Sequence, residues 1–67
     1  MDKHYKKSSI EPRDYITANK LDFNEGNIIK YVSRWKDKNG IEDLLKAKDY
    51  LEYLIELNKN DGKKNIV

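Results

Sequence analysis

Asn27, Lys30, Tyr31 and Arg34 stand at i, i+3, i+4 and i+7, a spacing that lines side chains along one side of an α-helix. Two cations and an amide on one rigid element suit an anion such as a phosphate. Arginine would hold it as a planar fork and lysine as a point charge. The same residues have a plainer reading, as a solvated helix face whose charges pair with acids on the next helix. Spacing alone leaves both open. Other chemistries find less to work with. Ser8, Ser9 and Ser33 are the serines available to His4, and nothing positions them as nucleophiles. Glu11 with Asp14, and Asp49 with Glu52, have the i, i+3 spacing by which all-α nucleotide pyrophosphohydrolases bind Mg²⁺. Those enzymes converge several acids in one core; here the pairs are sparse, and Asp49 and Glu52 fall on an outer face. No G-x-x-x-x-G-K-[ST] loop is present to cradle phosphates. There is no cysteine, hence no disulfide scaffold and no cysteine-based zinc site.

The elements that would carry these residues can be read from capping and periodicity. Pro12 suits the first turn of a helix, and Glu11 before it is held out of helical conformation and placed to cap. A short first helix is predicted over 12–19, showing Tyr15 and Ile16 to the core. Asp22 and Glu25 have capping-box spacing and open a second helix over 23–37, with Ile28, Val32 and Trp35 as one apolar stripe. Gly26 in its first turn weakens that helix by up to about 1 kcal/mol relative to alanine, which a close backbone approach by another helix or a ligand would explain. Lys38-Asn39-Gly40 reads as a stop and a fresh start. The third helix, over 41–58, carries Leu44, Ala47, Leu51, Leu54 and Ile55 on one face, with Leu45 beside it and Tyr50 and Tyr53 on its flanks. No alternating strand pattern occurs. The expected fold is all-α: a small three-helix domain of a short helix followed by a helical hairpin.

The chain has 67 residues, of which 39% are charged, with a formal net charge of +2 and a mean hydropathy of −1.01. It is read as one small domain over 10–58, between a basic arm at 1–9 and a flexible polar tail at 59–67. No apolar run approaches the roughly 20 residues of a membrane span, and the lysine-rich N-terminus lacks the apolar stretch of a signal peptide. A soluble cytoplasmic protein with no membrane partner is expected. The charge balance is too even to indicate nucleic-acid binding. A domain this small buries only about 60% of its unfolded surface. Without disulfides or an obvious metal site, the expected support is homo-oligomerisation.

His4-Tyr5, Ile10-Glu11-Pro12, Asp14-Tyr15-Ile16, Leu21-Asp22-Phe23, the run from Gly26 to Val32, Arg34, Lys38-Asn39-Gly40, Glu42-Asp43-Leu44, Lys46-Ala47 and Tyr50-Leu51 are more specific together than apart. In this order and spacing the chain resembles the SaV-like family of small bacteriophage proteins, also described as a nucleotide-kinase-like phage domain, over roughly residues 4–56. Some longer members are phage nucleotide kinases that act on deoxynucleoside monophosphates without a Walker motif. The resemblance therefore implies a phage-encoded accessory protein, working in the cytoplasm of the infected bacterium, that binds a nucleotide or nucleotide-like phosphate ligand. Kinase turnover is not implied for a chain with little beyond the shared domain.

The family's motif falls here on His4, Glu11, Asn27, Lys30, Tyr31, Arg34, Glu42, Asp43 and Lys46. The phosphate-binding set is His4, Asn27, Lys30, Tyr31, Arg34 and Lys46. Glu42 and Asp43 are candidates to bind Mg²⁺ between nucleotide phosphates. Each has a competing role: Glu42 and Asp43 favour the dipole of the third helix, and Arg34 or Lys30 pairs with Asp43 to hold the hairpin. His4 could donate a hydrogen bond to a phosphate, act as a proton shuttle or be a plain surface histidine. Tyr31 and Trp35 could stack on a base, although the apolar stripe makes Trp35 a core or subunit-interface residue. The competing function is a non-enzymatic oligomeric interaction module that engages a host or phage protein.

Overall fold

The computed structural model of the chain describes residues 10–59. The basic arm with His4, and nearly all of the polar tail, lie outside them. The described residues form three helices and no strand: α1 (Pro12–Ala18), α2 (Phe23–Arg34) and α3 (Ile41–Lys59). None is long and apolar enough to cross a membrane.

Glu11 is extended (φ −66°, ψ 138°), as a residue before proline should be. It starts α1 through its carbonyl, which accepts from the Asp14 and Tyr15 N–H groups at 3.0 and 3.1 Å, and makes no side-chain cap hydrogen bond. The helix ends in a pair of reverse bonds, Lys20 N–H to the Thr17 carbonyl and Leu21 N–H to the Ile16 carbonyl, with Lys20 left-handed at φ 54°. This is the Schellman arrangement, whose left-handed position normally holds glycine. A lysine Cβ is disfavoured there. Lys20→Gly is therefore expected to raise stability by about 0.5–1 kcal/mol, read as a higher urea midpoint with an unchanged slope.

The capping box is present in full. An Asp22 carboxylate oxygen accepts from the Glu25 N–H at 2.8 Å, and Glu25 Oε1 accepts from the Asp22 N–H at 3.0 Å. Gly26, four residues into α2, is buried because α1 crosses it. A Cβ at that position would lie 3.2 Å from Ile16 Cγ2, so the close approach anticipated for this glycine is made by a helix. α1 packs on α2 and makes no contact with α3. With a single neighbour it buries one line of side chains. Ile16 is half-buried and Tyr15, one residue round the helix, is 45% exposed, contrary to the expectation that both face a core.

α2 is three residues shorter than expected. The Arg34 carbonyl accepts from both the Asp37 and Lys38 N–H groups at 3.0 Å, a tightened last turn, and the Gly40 N–H returns to the Trp35 carbonyl at 2.9 Å. Gly40 has φ 60° with nothing near its missing Cβ, so glycine is needed there for backbone conformation rather than for space. Its carbonyl then accepts from Asp43 and Leu44 and begins α3.

α2 and α3 form the hairpin, and its contact line differs from the expected apolar face. Asp43 and Ala47 are buried, and Leu44, Tyr50, Leu54 and Asn58 are half-buried. Leu51 and Ile55, expected inside, are 45% and 52% exposed, and Tyr50, expected on the flank, is half-buried against α2. The cause is the turn. It anchors α3 through Asp43, and residues i+4, i+7 and i+11 from there are Ala47, Tyr50 and Leu54. Val32 of the α2 stripe is also exposed, with Ile28 and Trp35 half-buried.

Candidate functional site

At the closed end of the hairpin a carboxylate sits out of solvent. Asp43 has 0% relative exposure. Its Oδ2 accepts from Arg34 Nε at 3.3 Å and from the Asn39 N–H at 3.1 Å; its Oδ1 accepts from Arg34 Nη2 at 3.4 Å and from Asn39 Nδ2 at 3.3 Å. The guanidinium thus bridges both oxygens as a fork, and the turn fills the other two positions. Burial by itself would raise the Asp43 pKa. The Asn39 N–H, the Arg34 guanidinium and the Asn39 amide outweigh it and hold the carboxyl below the ordinary aspartate value. Of the two pairings open in the sequence, Arg34–Asp43 is made.

The outer side of the same guanidinium belongs to a second assembly. Arg34 Cζ lies 4.9 Å from the centroid of the Tyr31 ring. Lys30 Nζ lies 4.9 Å and Lys46 Nζ 5.5 Å from that same centroid. Arg34 and Lys30 come from α2, one turn apart around Tyr31, and Lys46 reaches over from α3. Among the described residues, neither lysine has a carboxylate partner, since the ion pairs are Arg34–Asp43, Lys48–Glu52 and Lys59–Glu56. Three cations therefore surround one phenol, within about a Debye length of each other in 0.1 M salt, and one buried carboxylate offsets them. A cation over a ring at a solvent-exposed site gains about 0.5–1 kcal/mol, while the mutual repulsion of the three opposes the arrangement.

The ring also begins an aromatic ladder. Tyr31 lies parallel to Tyr50, with centroids 6.1 Å apart, and Tyr50 meets Phe23 edge-on at 5.9 Å. Beside it an open groove of about 500 Å³ is lined by Tyr31, Leu45, Lys46, Asp49 and Tyr50. A cationic rim on an aromatic wall, with one acid across the groove, can accept a phosphate together with a flat apolar group.

The residues singled out in the sequence divide accordingly. Lys30, Tyr31, Arg34 and Lys46 come together. Asn27 is one turn before Tyr31, with its amide donating to the Phe23 carbonyl at 3.0 Å. His4 lies outside the described residues. Glu42 is exposed in the first turn of α3, whereas both oxygens of its neighbour Asp43 are occupied by Arg34 and Asn39. No group of three or more metal-ligating side chains occurs among the described residues. Trp35 sits just past the end of α2 with Lys36 Nζ 5.9 Å from its ring. Sequence reasoning missed Asn39 as an Asp43 ligand and missed Leu45, Asp49 and Tyr50 as groove residues. An asparagine-glycine turn four residues before an acid was an available signal for the first. Nothing in the spacing signalled the others, because the groove exists only once α3 is anchored in its observed rotation.

Neither the comparison with curated proteins nor that with solved structures gave a match. A family model does match, over residues 2–52, the span that contains the capping box, the Arg34–Asp43 clamp and the cations around Tyr31. The chain belongs to DUF3310, a protein family of unknown function.

Proposed function

We propose that this is a phage-encoded accessory protein that binds a nucleotide or a nucleotide-like phosphate ligand in the cytoplasm of an infected bacterium. The observation that supports it is the convergence of Lys30, Arg34 and Lys46 on Tyr31, with a single buried acid to balance three cations. An anion on their outer side turns a repulsive cluster into an attractive one. The phage origin and the likeness to nucleotide kinases rest on the SaV-like resemblance of the sequence. No residue is assigned to phosphoryl transfer. Mg²⁺, where it takes part, would enter on the nucleotide's own phosphates, with Glu42, exposed in the first turn of α3, as a candidate ligand.

A thermal-shift screen against nucleoside mono-, di- and triphosphates, with and without Mg²⁺, tests the reading, because a ligand that binds only the folded state must raise the melting temperature. The expected result is stabilisation by at least one of them that fades as salt is raised. No stabilisation by any would leave the competing reading, an oligomeric interaction module engaging a host or phage protein. Exposed apolar side chains such as Phe23, Ile41 and Leu57 favour that alternative.

A further inference from the structure

The hairpin has two unlike faces. On α2, Asn27, Lys30 and Arg34 lie to one side of Tyr31, and Ile28, Val32 and Trp35 lie to the other. On α3, Lys46 and Asp49 lie to one side of the Asp43–Ala47–Leu54 line, and Leu44, Leu51 and Ile55 lie to the other. The helices run antiparallel, since Arg34 meets Asp43 at the turn while Phe23, at the far end of α2, meets Tyr50. The cationic sides therefore coincide, and so do the apolar sides. One face carries the Tyr31 cluster. The other carries six large apolar side chains, of which Val32, Leu51 and Ile55 are about half exposed. α1 does not cover it, because α1 sits on the outer side of α2 and never touches α3.

We propose that this apolar face is where a second copy of the chain docks, so that two hairpins make a four-helix bundle with the Tyr31 clusters on its two outer surfaces. Three observations choose a second copy over another occupant. First, Ala47 is the only fully buried apolar side chain among the described residues. The described residues thus have almost no core of their own, and another copy is a cover that is present whenever the chain is made. Second, the face fits the task. α2 and α3, at 12 and 19 residues, are about 18 and 28 Å long. Two helices each about 10 Å across then give roughly 400–500 Å² in projection, more once side chains corrugate it, against about 800 Å² of accessible surface per partner in a standard interface. Third, no charged residue stands within the stripes. Lys48, at their edge, is paired with Glu52 at 3.7 Å in i, i+4 fashion, which leaves the centre apolar and the rim polar, as interfaces are built.

Light scattering on the full chain at micromolar concentration is expected to give twice the 8.0 kDa chain mass, with a melting temperature that climbs as protein concentration is raised. Leu51→Glu should give a monomer or an unfolded chain. Tyr53→Glu, on the opposite side of α3 and already exposed, should leave the dimer intact. A monomer mass with a cooperative, concentration-independent melt would overturn the proposal. So would a dimer that Tyr53→Glu dissociates and Leu51→Glu does not, or a chain that folds only when a different protein is added. Because the Tyr31 clusters face outward, phosphate binding and dimerisation are scored separately, and either can fail alone.

Discussion

Asp43→Ala is expected to lower the melting temperature by about 10 °C or more. The carboxylate has no exposed surface and receives four hydrogen bonds, two from Arg34 and two from Asn39. Its loss unties the turn from α3 and removes the shared acceptor of all four donors. Arg34→Ala should also melt early, because it strands a buried negative charge without its cationic partner. The double mutant should be less destabilised than the sum of the two, since each single mutant carries the penalty of an orphaned partner. Arg34→Lys is not expected to restore the loss, because an ammonium cannot bridge both oxygens. Strict additivity would mean that the two residues act independently and that the clamp contributes little.

The depressed pKa of Asp43 sets where this stability acts. A carboxyl held below its unfolded value contributes fully above about pH 4–5 and loses that contribution as pH falls through the folded value. Melting temperature should therefore be flat in this respect from pH 7 to 5 and drop more steeply below pH 4 in the native chain than in Asp43→Asn.

The three-helix order and the capping box are written in local sequence. Pro12, Asp22 with Glu25, and Gly40 act on their own neighbours, so each marks an element edge without reference to the rest of the fold. The rotation of α3 is not local. Leu51 and Ile55 belong to the more hydrophobic stripe, and periodicity favours turning them inward. What turns the helix instead is a polar contact between residues nine apart, Arg34 and Asp43, tightened by Asn39. The same contact shortens α2 and leaves Tyr50 and Lys46 facing Tyr31. Three residues of the candidate site were legible for a similar reason: Lys30, Tyr31 and Arg34 share a helix face, so spacing finds them, while Lys46 entered through the family resemblance. Asp49, Leu45 and Tyr50 join only through the hairpin's geometry.

Replacing both unpaired lysines is expected to remove phosphate binding while sparing the fold. Lys30 and Lys46 sit by the Tyr31 ring and make no ion pair among the described residues. Lys30→Ala/Lys46→Ala also relieves like-charge crowding around that ring, so the melting temperature should stay level or rise slightly. If each ammonium makes a charged hydrogen bond to the ligand worth about 1.5–3 kcal/mol, each single substitution weakens affinity from about tenfold to over a hundredfold. The pair should push binding beyond detection by calorimetric titration. Arg34 has a divided role, since Nε and Nη2 are committed to Asp43 and what remains faces the Tyr31 side. Arg34→Ala should therefore reduce both affinity and melting temperature, whereas the lysine substitutions should reduce affinity alone. Unchanged affinity in Arg34→Ala, with a lowered melt, would confine Arg34 to the clamp and leave the site to the two lysines. Unchanged affinity in the double-lysine variant would place the phosphate elsewhere and leave the cation cluster without a ligand.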